Sequence, residues 1–118
     1  MTAPLAAGER AALAAALKGC ARRGRPMTYA QVAAALALRP PHSIHRLTLA
    51  LEEMAEADHR AGRPLLAALA VGKAGIPGRG FFQLLQRLGR YDGPDQGPAA
   101  AERHRRELAL AVAYWGGA

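Results

Sequence analysis

The spacing of glycine and proline constrains this chain more than any other feature. Breaker clusters recur at Arg22-Arg23-Gly24-Arg25-Pro26, Arg39-Pro40-Pro41, Gly62-Arg63-Pro64, residues 72–80 and residues 91–98, and Gly116-Gly117 follows the last apolar stretch. Glycine weakens a helix, while proline removes a donor and restricts the residue before it, so each cluster ends a regular element. What fills the intervals decides their type. Hydrophobic residues make up 51% of the chain, but Ala and Leu supply most of them and aromatics only 5%. Ala and Leu are strong helix formers, whereas sheets prefer β-branched and aromatic residues. The 118 residues fit one domain, 1–118, with enough chain to bury a core.

Apolar periodicity then predicts five helices. The first covers 5–22, with Leu5, Leu13, Leu17, Ala16 and Cys20 on one side. Thr28 opens the second with a capping box to Gln31, and that helix runs to about Leu38 with Val32, Ala35 and Leu36 inward. Ser43 is the expected N-cap of the third, 43–60, whose stripe is Ile44, Leu47, Leu51, Met54 and Ala55. Residues 65–71 are continuously apolar and suit a short buried strand, with helix as the alternative. A Gly-rich loop follows over 72–80, a candidate wing or hairpin tip. Helices at 81–89 and 99–115 complete the chain, the last carrying Leu108, Val112 and Trp115 in one row. The expected fold is mainly α and winged-helix-like, with a helix-turn-helix at about 28–60 and at most a small sheet near 64–80.

Charge gives the first functional direction. The net charge is +7 with a pI near 10.8. Residues 1–47 hold seven Lys or Arg against one acid, Glu9, a net of +6, while residues 48–118 net only +1. A polyanionic partner would be drawn to the first third. No apolar run is long enough to span a bilayer, so no membrane partner is expected. Residues 1–8 do not read as a secretory signal, and Cys20, alone in the sequence, cannot form an intrachain disulfide; both fit a cytoplasmic protein.

No catalytic grouping stands out, and no cofactor is implied. The four His and one Cys match neither CxxC nor HExxH, so no metal site is expected. In a helix-turn-helix the second helix presents its N-terminal residues to a groove. Here those residues are Arg39, His42, Ser43, His45 and Arg46, polar and without acids, whereas Glu52, Glu53, Glu56 and Asp58 follow. The nucleic-acid-binding candidates are these five with Arg25, Tyr29 and Arg79, and duplex DNA is the expected partner. The Gly75–Phe82 loop could alternatively cradle a phosphorylated ligand. Tyr114 and Trp115 could instead dock a protein partner or a second copy.

The segment Met27-Thr28-Tyr29-Ala30-Gln31-Val32-Ala33 resembles the Thr-Tyr-Gly-Gln-Ile-Ala start of the winged helix-turn-helix in the alkylguanine DNA alkyltransferases and alkyltransferase-like proteins. His45 to Leu51 can be laid over that family's recognition-helix pattern, and the likeness spans roughly residues 26–90. It implies a non-enzymatic DNA-binding module with this helix in the minor groove. Departures limit it. The family's reactive thiol lies in Pro-Cys-His-Arg, where this chain has Pro64-Leu65-Leu66-Ala67, so alkyl transfer by that mechanism is ruled out. The neighbouring His-Arg that Cys-free relatives keep is also missing. The family's intercalating arginine aligns with His45, one step from Arg46.

Overall fold

The computed structural model describes residues 3–117 and is mainly α-helical. Five helices, α1 (Ala7–Arg23), α2 (Tyr29–Ala35), α3 (Ser43–Arg60), α4 (Arg79–Arg87) and α5 (Pro98–Trp115), are joined by breaker segments close to those the sequence marks. A 3-10 helix, Leu66–Leu69, and two short strands, β1 (Met27–Thr28) and β2 (Ala70–Val71), complete it. The strands pair in parallel, Met27 opposite Ala70 and Thr28 opposite Val71.

The 65–71 segment is the hub. Every residue in it is buried, and α1, α3 and α5 all pack against the 3-10 helix. Only two of its residues form strand, because Ala- and Leu-rich sequence has little β preference. A buried segment without a repeating ladder must place its backbone polar groups elsewhere. Side chains take them. Asp58 Oδ2 accepts from the Leu66 amide at 3.1 Å, Glu107 Oε2 from the Leu65 amide at 2.9 Å, and His104 Nε2 lies 2.9 Å from the Ala68 carbonyl. The Trp115 indole donates to the Pro64 carbonyl at 2.9 Å. The three from His104, Glu107 and Trp115 dock α5 on this segment, and Asp58 ties α3 to it.

Several boundaries differ from expectation. α2 ends at Ala35 rather than near Leu38, because Ala37 takes a left-handed φ of 53°. The Leu38 amide returns to the Ala33 carbonyl and the Ala37 amide to the Ala34 carbonyl, each at 3.0 Å, a Schellman termination with alanine where glycine is usual. His42, at φ 65°, caps α3 without a side-chain bond, and Ser43 is already its first helical residue. Ile44 is 41% exposed, since the buried stripe of α3 starts one turn later at Leu47. The strand expected at 65–71 shrinks to β2, and β2 pairs only with β1. Among the described residues the 72–78 loop therefore carries no strand and is not a hairpin tip. It closes on itself, the Gly72 amide donating to the Ile76 carbonyl at 2.8 Å. α4 begins at Arg79, two residues before the expected start. The Thr28 capping box is present in both directions, at 3.1 and 2.9 Å.

Candidate nucleic-acid interface

The candidate residues separate into free, occupied and structural groups. Arg39, His42 and His45 are exposed around the start of α3, with Ser43 half-buried among them. Arg25 is exposed at the turn between α1 and β1, where it lines an open groove of about 440 Å³ with Arg23, Met27 and Gln31. That turn follows Gly24 at φ 74°, and Arg22 and Arg23 sit in the last turn of α1, where the helix dipole favours cations.

Arg46 behaves differently. Its Nε donates to the Ala3 carbonyl at 2.9 Å and its Nη2 to Glu9 Oε1 at 3.2 Å, leaving the side chain 17% exposed. Glu9 also accepts from the Ala6 amide at 2.8 Å, so one carboxylate caps α1 and holds α3 to it. The next residue, Arg10, pairs with Glu53, two turns further along α3 than Arg46. Two of the seven cations in the first third are thus paired with carboxylates.

Tyr29 is half-buried, and its hydroxyl accepts from the Gly78 amide at 3.0 Å. Burial pushes the phenol up, against the hydrogen bond from Gly78. Tyr29 therefore fixes the loop that leads into α4 and carries Arg79, which donates to Gln96 Oε1 at 2.6 Å. The phosphate-cradle expectation fares less well in this loop. The Gly75, Gly78 and Phe81 amides are already donated within the protein, to the Gly72 carbonyl, the Tyr29 hydroxyl and the Gly78 carbonyl.

Beside Tyr29 lies a small pocket of about 100 Å³. Leu51 of α3, Ala67 of the 3-10 helix and Leu84 of α4, all buried, form its apolar walls with Phe81. Thr48, Glu52 and the backbone of Gly78 and Gly80 complete the lining. Its walls come from four separated segments, so no local stretch of sequence marks it as a pocket.

Cys20 is fully buried in α1, and burial pushes its thiol up against the influence of Arg23. A thiol so placed is a poor nucleophile. Among the described residues no three His, Cys, Asp or Glu side chains are placed to hold a metal ion, and no helix is long and apolar enough to cross a membrane. Comparison with protein-family models, with curated proteins and with solved structures gives no match.

Proposed function

We propose that this domain is a non-enzymatic nucleic-acid-binding module that engages duplex DNA, using its helix pair α2–α3 in the winged-helix-like manner of the alkyltransferase-like proteins it resembles. One observation carries the reading. Glu9 is the sole acid of the first third, and Arg46 occupies it, while Arg22, Arg23, Arg25 and Arg39 have no carboxylate partner among the described residues. A cationic surface without internal neutralisation attracts a polyanion. Arg25 and Arg39 contact phosphates, and His42, Ser43 and His45 face the groove. Arg46 and Tyr29 act as positioning residues, the first holding α3 to α1 and the second holding the loop before Arg79.

Fluorescence anisotropy of a labelled duplex over a salt series tests this. Log affinity should fall linearly with log salt, by roughly 0.9 per neutralised phosphate. Arg25→Ala with Arg39→Ala should flatten that slope by about 1.8, two contacts' worth, whereas Arg46→Ala should lower the melting temperature and leave the slope alone. No binding at low salt, or an unchanged slope in the double variant, would overturn the reading.

A second reading has its own support. Leu110 and Tyr114, one turn apart on α5, are 54% and 51% exposed. Exposed apolar pairs on one helix face suit a protein partner or a second copy. Trp115 is not part of that surface, because its indole is tied to Pro64.

A further inference from the structure

The pocket between α3 and α4 has features that the nucleic-acid reading does not use. Its walls are preformed. Leu51, Ala67 and Leu84 are core residues exposed by 6%, 4% and 2%, and Tyr29 is pinned to Gly78. A dry cavity of roughly 150 Å³ admits benzene. The free volume here is about 100 Å³ in a partly open pocket, so it takes at most one ring, inserted part-way.

The polar lining is one-sided. Glu52 has no ion-pair partner among the described residues, although the chain carries a net charge of +7. Its neighbour Glu53 is taken by Arg10. A Cβ built on Gly80 would lie 3.7 Å from Glu52 Oε1, which puts the carboxylate over bare backbone at the edge of the pocket. Thr48 donates its hydroxyl hydrogen to the His45 carbonyl at 2.9 Å, so it offers the pocket acceptor lone pairs. Such a site repels phosphate and selects donors. A carboxylate binds two parallel N–H groups best when they are charged and coplanar.

We propose that this pocket binds a free small molecule built of one planar ring bearing an amidine or ring-amine edge, the ring held among Leu51, Phe81 and Leu84 and the N–H groups on Glu52. The proposal does not rest on the DNA reading, and its test contains no duplex.

Benzamidine is the probe, titrated into the ¹⁵N-labelled full chain and followed by amide shifts. Saturable shifts are expected at Thr48, Gly78, Gly80 and Phe81. Neutral benzamide should bind about tenfold more weakly or worse, since it lacks the charge-assisted pair, and benzoate should not saturate. Glu52→Gln should weaken benzamidine by at least about tenfold with an unchanged melting curve, while Glu53→Gln should leave its affinity alone. Gly80→Leu, whose Cβ would lie 3.7 Å from Glu52 Oε1 and whose side chain fills the open edge, should abolish binding. The assignment is overturned if benzamidine gives no saturable shifts at these amides, if benzoate binds as well, or if Glu52→Gln is silent. Saturation by a cytosine-bearing oligonucleotide, but by neither benzamidine nor cytidine, would equally overturn it.

Discussion

Replacing Glu107 by alanine removes, in one step, the acceptor for three donors. The side chain is 0% exposed, and it receives the Leu65 amide at 2.9 Å, Arg103 Nη2 at 2.8 Å and Arg90 Nη2 at 3.1 Å. Arg103 and Arg90 are only 12% and 20% exposed, so water recovers little of what they lose. Removing one partner of such a buried pair costs about 3–5 kcal/mol. Against a typical domain stability of roughly 5–15 kcal/mol, that corresponds to a drop in melting temperature of roughly 10–20 °C. Glu107→Gln keeps an acceptor but not the charge and should cost less, about 1.5–3 kcal/mol. The effect must also depend on pH. Burial by itself raises the Glu107 carboxyl, but the Leu65 amide, Arg103 and Arg90 outweigh it and hold the group below the ordinary carboxylate range. With the folded pKa depressed, the stabilisation is complete above the unfolded value near 4.3 and is lost as pH falls through the folded one. Thermal unfolding followed by far-UV circular dichroism, repeated from neutral pH downward, should show wild type and Glu107→Ala converging in acid. A shift below about 3 °C at neutral pH (under roughly 1 kcal/mol), or a gap that stays constant with pH, would refute the clamp.

Three further outcomes follow from the local geometry. Ala37 pays a left-handed penalty at φ 53°, so Ala37→Gly should stabilise by about 0.5–1 kcal/mol despite the looser unfolded chain; destabilisation in a urea titration would contradict this. Thr28→Ala should cost about 1 kcal/mol through the lost cap, and Thr28→Asp should restore most of it, read by thermal melts. His104 is held below its ordinary value by burial, against its bond to the Ala68 carbonyl. Its stabilisation is complete above about 6.5 and declines as pH drops further, and His104→Gln should flatten that limb of the stability curve.

The helices were legible because their ends are written in glycine and proline and their interiors in alanine and leucine. The clamp was not. Asp58, His104 and Glu107 sit on helices among other polar residues, where a solvated face is the ordinary reading. What demands them is the unsatisfied backbone of residues 65–68, which lies 36 and 42 positions from His104 and Glu107. A need created by one segment and met by another leaves no local signal. The same holds for the 3-10 helix, since Leu65–Val71 is apolar enough for strand or helix, and only the packing of α1, α3 and α5 around it selects a tighter turn.

The basic start of α3 shows how far residue type can locate a site. Arg39 and Arg46 are chemically alike and flank the same turn, yet Arg46 stands on a helix row and Arg39 does not. Arg46, Ala50 and Glu53 recur at i, i+4 and i+7, a single row on the helix, and that row meets α1: Arg46 binds Glu9, Ala50 is buried, and Glu53 binds Arg10. His45, Thr48 and Glu52 lie on the adjacent row, which runs from the exposed turn toward the pocket. One residue along a helix turns a side chain by about 100°, enough to change a phosphate ligand into a strut between two helices. The sequence shows the cations but not the phase, because phase depends on where α1 lies, and α1 is placed by Leu13, Leu17 and Cys20 in a core shared with α5 and the 3-10 helix. Arg25 and Arg39, by contrast, stand in turns, and like Arg22 and Arg23 they are exposed with no carboxylate partner among the described residues.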